Sequence, residues 1–281
     1  MTSSGKLRQI GLGAQLRGLR EKAGLTTRSV AQALDISASS VNRTELGTRV
    51  PDRQEVGALC ALYGVTGEDK VRLFDRTEKG SHTTAWLEMP SKAPEQAAAL
   101  VVLEQEADVV SNVELALIPG LVQTSDYFRL LLRTSHIPDE EIEQRVVTRL
   151  GRQAILSRPN APGLRLVIDE GILYRTLGNR QVMREQLEYL LLAQLRTNVS
   201  LRVIPFDATT HGAIEGGFSM YEVPAGRPYV LVESRNVGVF LTESVDVAPF
   251  VEAWRKLQDH ALDEDGSTKL IKAAARRLED A

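Results

Sequence analysis

The chain has one cysteine, Cys60, and four histidines among 281 residues. A lone cysteine closes no internal bridge, which excludes a disulfide scaffold and suits a reducing compartment. His82, His136, His211 and His260 are scattered, with no His-x-x-x-His pair. No metal site of ordinary ligand spacing is therefore expected, and no cofactor. No G-x-S-x-G elbow is present, and no G-x-G-x-x-G follows a strand, so no catalytic residue is assigned and the chain is not expected to be an enzyme. No run approaches about 18 uncharged apolar residues, the length of a membrane-spanning helix. The first residues, MTSSGKLRQIG, lack the apolar core of a secretory signal. A cytoplasmic protein without a membrane partner is the expectation.

What is present is the composition of a globular chain, 43% hydrophobic and 25% charged, long enough for two cores. The net charge of −3 hides an asymmetry. Residues 1–54 hold nine basic side chains (Lys6, Arg8, Arg17, Arg20, Lys22, Arg28, Arg43, Arg49, Arg53) against four acids (Glu21, Asp35, Glu45, Asp52). The rest of the chain holds 25 basic and 33 acidic residues. A basic head on an acidic body is one footprint of a nucleic-acid module, and chance fluctuation of solvated charge is the other account.

Helical spacing of Leu12, Leu16 and Leu19 predicts a first helix over about 11–22, stopped by Gly24. Thr26 or Thr27 can cap a second, with Val30, Ala31 and Leu34 inward. After the short connection Asp35-Ile36-Ser37, Ser37 can cap a third helix from Ala38 to about Leu46, with Val41 buried and Gly47 as its stop. A fourth, 53–62, carries Val56, Leu59, Cys60 and Leu62 inward. Two short helices across a tight turn, braced by flanking helices, is a helix-turn-helix arrangement.

The run LRGLREKAGLTTRSVAQALDISASSVNRTELGTRVP, within residues 11 to about 65, resembles the DNA-binding domain of the Cro/C1-type (Xre) regulators. The resemblance rests on Leu16, Leu19, Arg20, Gly24-Leu25-Thr26, Val30-Ala31, Ile36-Ser37, Val41, Glu45, Gly47 and Pro51. It implies that Arg20 and Glu45 form the pair tying the first helix to the end of the third, a scaffold rather than a base contact. It also implies that the third helix enters the major groove of double-stranded DNA. Ala38, Ser39, Ser40, Asn42 and Arg43 then fall on or near the exposed face. Arg43 can read a guanine edge, Asn42 can pair with adenine, and the serines suit phosphate or a thymine methyl. Thr27 matches a backbone-contact position, and Arg28 and Arg49 can add charge contacts. Plain solvation of an exposed helix competes with each of these roles. Ala38 departs from the glutamine common at its position, so no target sequence carries over.

Residues 64–94 are polar, with a helix expected at 67–78 and then a linker carrying Trp86 and Leu87. Beyond it, helices are expected at 95–109, 124–134, 139–157, 180–197, 244–262 and 267–279. Strands are expected at 112–118, 164–169, 199–205, 217–223, 229–234 and 237–241. The last three suggest an antiparallel meander. The fold class is thus an all-α N-terminal helix-turn-helix domain plus a larger α+β C-terminal domain, divided as 1–80, a linker at 81–94, and 95–281.

LEQEAD (103–108), LALIPGLVQTSDYFRLLL (115–132), RLGRQAILSRP (149–159), VIDEGILYRTLGN (167–179), VMREQLEYLL (182–191) and VIPFDATTHGAIEGGFSMYE (203–222) resemble the C-terminal domain of an actinobacterial family of antitoxin-like regulators. Members carry it behind such a helix-turn-helix and are often encoded beside a small partner protein. The resemblance implies a DNA-binding regulator, but no signal. Three functions stay open: a regulator whose body receives a partner or small ligand, an antitoxin-like protein covering a small partner, or an enzyme that regulates itself. Candidate ligand residues are Asp169, Arg175, His211 and Glu215, near Gly216 and Gly217; a glycine-rich loop and a helix cap at Asp169 is the local-structure account. Apolar faces on Tyr127, Phe128, Leu131 and Leu132, and on Val245, Val247, Phe250, Val251 and Trp254, are core or a homodimer interface. A homodimer is the physical expectation, since one helix-turn-helix reads half of a two-fold site.

Overall fold

The computed structural model describes residues 3–77, 86–90, 94–135, 137–208, 215–224, 228–234 and 237–279. Five helices come first: α1 (Ser3–Lys22), α2 (Thr27–Ala33), α3 (Ala38–Glu45), α4 (Arg53–Tyr63) and α5 (Gly67–Thr77). Then follow β1 (Trp86–Pro90), α6 (Pro94–Glu106), β2 (Val109–Glu114), α7 (Ser125–Thr134), α8 (Asp139–Gln153), β3 (Gly163–Asp169), α9 (Gly171–Tyr174), α10 (Arg180–Ala193) and β4 (Val199–Ile204). Strands β5 (Phe218–Glu222), β6 (Tyr229–Glu233) and β7 (Val237–Leu241) precede α11 (Ser244–His260) and α12 (Glu264–Arg277). Contacts divide the chain into one unit of Met1–Leu103 with Leu231–Asp246 and a second of Glu104–Val230 with Val247–Ala281.

In the first unit, the inward residues of α1 to α5 form one core, among them Leu12, Leu16, Val30, Ala31, Val41, Val56, Leu59, Cys60 and Leu73. Leu19, Leu34 and Leu62, expected inside, are only partly buried against it. Helix α1 begins eight residues earlier than expected, because Gly11 and Gly13 interrupt the apolar pattern without interrupting the helix. Gly13 answers to packing: a Cβ there would lie 2.4 Å from the Thr44 carbonyl oxygen and 2.6 Å from that of Glu45. The segment expected as a linker contains β1, which runs antiparallel to β7 from Trp86↔Leu241 to Pro90↔Val237. Five residues with a proline among them fall below the length at which alternation is legible.

The second unit is α+β. Its strands lie in the order β5-β2-β3-β4, with β2, β3 and β4 parallel and β5 antiparallel to β2. Parallel neighbours need crossovers, supplied by α7 and α8 between β2 and β3 and by α9 and α10 between β3 and β4. Leu164, Leu166, Ile168, Leu201 and Val203 are buried in this sheet. The edge strand β4 does not stand open: Val203 N–H donates to Ser267 Oγ (2.9 Å), and Leu262 N–H donates to the Val203 carbonyl (2.9 Å).

Strand β2 starts three residues and ends four residues earlier than expected. The pattern of 112–118 alternates, but Leu115–Ile118 leave the sheet because their polar partners are elsewhere. Ile118 N–H donates to the Tyr127 hydroxyl (3.2 Å), and Gln123 Nε2 donates to the Ile118 carbonyl (2.7 Å). Side-chain amides hold the rest of this buried turn. Gln153 Nε2 donates to the carbonyls of Gly120 (3.1 Å) and Gln123 (2.8 Å), while Gln186 bonds the Val122 carbonyl (2.8 Å) and accepts from Thr124 N–H (2.7 Å). At the end of α6, Glu104 is buried against Arg152 of α8 in a bidentate pair (2.9 and 2.5 Å).

Candidate nucleic-acid interface

Local chemistry shapes the two short helices. Thr26 Oγ1 accepts from Ser29 N–H (3.1 Å), and Ser29 Oγ accepts from Thr26 N–H (2.9 Å), a reciprocal cap on α2. Ser37 Oγ accepts from Ser40 N–H (3.0 Å) and starts α3. Between them Asp35 takes φ 53°, a left-handed step that a short polar side chain tolerates, and Ile36 N–H closes on the Ala31 carbonyl (3.0 Å).

Helix α3 is amphipathic over only eight residues. Val41, Thr44 and Glu45 are buried. Ser39, Asn42, Arg43 and Leu46 are exposed at spacings of three, four and seven, so they share one outward stripe, flanked by half-buried Ala38 and Ser40. Asn42 and Arg43 make no side-chain hydrogen bond or ion pair among the described residues. Leu46, 60% exposed, completes the stripe; the same period in the sequence points to it. Arg28 is exposed one residue inside the start of α2, and Thr27 is half-buried.

The rear of α3 is clamped. Arg20 meets Glu45 through Nε–Oε1 (2.6 Å) and Nη2–Oε2 (2.9 Å), and its Nη1 donates to the Leu25 carbonyl (2.8 Å). One guanidinium thereby ties α1, the α1–α2 turn and the end of α3, and Glu45 holds it charged more firmly than usual. Gly47, at φ +66°, lies so close to α1 that a Cβ would sit 2.6 Å from the Ile10 backbone. The tether fixes the angle at which the outward stripe is presented.

Arg49 is differently placed from a free phosphate ligand. Its Nη2 meets Glu55 Oε1 at 2.6 Å and its Nη1 donates to Thr44 Oγ1 at 3.1 Å. Glu55 also accepts from Asp52 N–H (3.0 Å), and Asp52 caps α4. The Asp-x-x-Glu spacing is a capping-box signal in the sequence for the start of α4.

In the second unit, Asp169 ends β3, and its Oδ1 accepts from Gly171 N–H (2.8 Å), opening α9. Arg175 follows α9 and is exposed; Glu215, also exposed, precedes β5. No hydrogen bond or ion pair joins these three among the described residues. His211 lies outside the described residues. Gly217 comes so close to β2 that a Cβ would meet the Val113 carbonyl at 2.6 Å. Glu170 accepts from Phe206 N–H (2.8 Å), and Tyr174 stacks on Phe206 with ring centroids 5.8 Å apart. No group of three or more His, Cys, Asp or Glu side chains arranged to hold a metal occurs among the described residues. No helix of the described residues is long and apolar enough to cross a membrane.

A capped pair of short helices, the second outward-facing and clamped from behind, defines the helix-turn-helix class of DNA-binding regulators. Residues 11–73 match the model of a helix-turn-helix domain. Residues 97–273 match a domain of unknown function, DUF5753, and since this covers more than half of the chain, the protein belongs to that family. Comparison with curated proteins found no match.

Proposed function

We propose that the protein is a sequence-specific transcriptional regulator of the Cro/C1 type, binding a two-fold operator as a homodimer. Its α+β unit receives a small ligand or a partner protein, such as one encoded beside it, and acts without a catalytic step. The observation that carries the DNA half is the outward stripe of α3, with Asn42 and Arg43 unpaired while buried ion-pair geometry fixes the helix behind them. An unpaired guanidinium on a rigidly held helix is pre-organised for a guanine edge. Dimerisation follows from the small footprint of one such helix, whose few phosphate contacts give weak and strongly salt-dependent binding alone.

The test is a fluorescence-anisotropy titration of the full chain against its own upstream DNA, with random-sequence competitor at physiological salt. Binding that survives competitor and weakens in Arg43→Ala is the expected result. Equal loss on operator and random DNA would remove the groove assignment.

A further inference from the structure

The C-terminal end of α3 has its own set of bonds. The carbonyl of Arg43, on the outward stripe, accepts from Thr48 N–H (2.9 Å), Thr48 Oγ1 (3.1 Å) and Arg49 N–H (3.1 Å). The Arg49 side chain then turns back on the helix. Its Nη1 donates to Thr44 Oγ1 (3.1 Å), and its Nη2 donates to Glu55 Oε1 (2.6 Å) in the first turn of α4. Glu55 is fixed in turn, because its Oε2 accepts from Asp52 N–H (3.0 Å). A continuous chain of bonds therefore runs from the cap of α4, through one guanidinium, to Arg43 and Thr44 of α3.

This is more than a surface ion pair, whose contribution is ordinarily small. The Arg49 and Glu55 side chains are 30% and 24% exposed, and Thr44 is buried on the inner face of α3. The guanidinium also spends both ends of its fork on two different helices, which the single ammonium of a lysine does not reproduce. Arg20 and Glu45 tie α3 to α1; Arg49 and Glu55 tie it to α4. A contact side chain reads its target only when its own element is held within about 0.5 Å of the productive position.

We propose that Arg49 and Glu55 are positioning residues for operator recognition. Their pair holds the C-terminal end of α3, and with it the angle of Asn42 and Arg43, and Arg49 stays on Glu55 when DNA is bound. The role at the operator rests on the DNA-binding reading above; the tether itself does not. The competing account has Arg49 leave Glu55 for a phosphate, so that Glu55 opposes binding. Glu55→Gln separates the two by sign. Removing a carboxylate beside DNA favours binding through charge alone, whereas loosening α3 disfavours it. Glutamine still serves a capping box with Asp52, so the start of α4 is kept.

The experiment compares the full chain with Glu55→Gln, Arg49→Lys and the double variant. Amide exchange at Thr48 and Arg49 is expected to rise at least about threefold in each, while Ile36 N–H, bonded to the Ala31 carbonyl, exchanges as before. Affinity for the chain's own upstream DNA should fall about three- to tenfold in each single variant, with random-duplex affinity and salt slope unchanged. The double variant should lose no more than a single one, because both changes break one tether. Unchanged exchange at Thr48 and Arg49 overturns the tether. Upstream-DNA affinity that is unchanged or higher in Glu55→Gln, or kept in Arg49→Lys, which retains the charge, overturns the positioning role. A wild-type chain that prefers neither duplex removes the DNA-binding reading and the operator role with it, and exchange alone then decides the tether.

Discussion

On the proposed reading, Arg20 and Glu45 bear on DNA binding only through geometry. Their side chains are 10% and 5% exposed; Arg20 also reaches Glu21 at 3.4 Å, whereas Glu45 is compensated by Arg20. Removing the partner of a buried charge leaves it unmatched, and Arg20→Ala, which strands Glu45, is expected to cost about 3–5 kcal/mol of stability by urea denaturation. Replacing both residues by apolar ones of similar volume should recover most of that loss; a double variant as unstable as the single one would contradict the account. Arg43 and Arg28 are the opposite case, exposed and unpaired among the described residues. Arg43→Ala should cost about 1–3 kcal/mol at the operator and relax preference at one base pair. Arg28→Ala should weaken binding to all sequences alike and lower the salt slope by about one. If both variants lose affinity in the same sequence-independent way, Arg43 touches phosphate rather than a base.

At the scale of elements, the sequence was most legible where the determinants are local. The caps Thr26 and Ser37, the stop at Gly47 and the inward residues Val30, Ala31 and Val41 sit in the first unit as their spacing predicts. Legibility failed where a distant partner decides. Gly13, which interrupts the apolar pattern of α1, answers to the approach of the Thr44 and Glu45 carbonyls, and the early end of β2 depends on Tyr127 and Gln123. Arg49 was legible as a surface cation, but its commitment to Glu55 is tertiary. The motif stretches of the second unit carry the side chains that hold its turns, Glu104, Gln123, Gln153, Glu170 and Gln186, so much of that resemblance concerns structure. Gln186 makes the point testable. It is wholly buried and serves both the Val122 carbonyl and Thr124 N–H. Gln186→Leu leaves both groups unpaired and should cost about 1–3 kcal/mol for each, with faster amide exchange at Thr124. Unchanged exchange there would show that another group holds the turn.

For the whole molecule, the proposed homodimer makes a prediction about operator geometry. The first 54 residues hold nine basic side chains against four acids, while the chain as a whole carries −3. On the DNA-binding reading, the net positive charge lies with the helix-turn-helix, and the net negative charge of the remaining residues opposes general adsorption. One such unit makes too few phosphate contacts for a tight complex at physiological salt, whereas two joined units gain the effective concentration of a tethered second event. In the proposed homodimer the two recognition helices would require half-sites about one helical turn, or a whole multiple of it, apart. Inserting about five base pairs between the half-sites turns one of them to the far face of the duplex, and affinity should fall to that of a single half-site, at least about a hundredfold. Inserting about ten restores the facing and should recover part of the loss. The comparison needs only the wild-type chain and three duplexes at one salt concentration. Equal affinity for all three would mean that each chain binds alone, and the larger unit would then have to be explained without dimerisation.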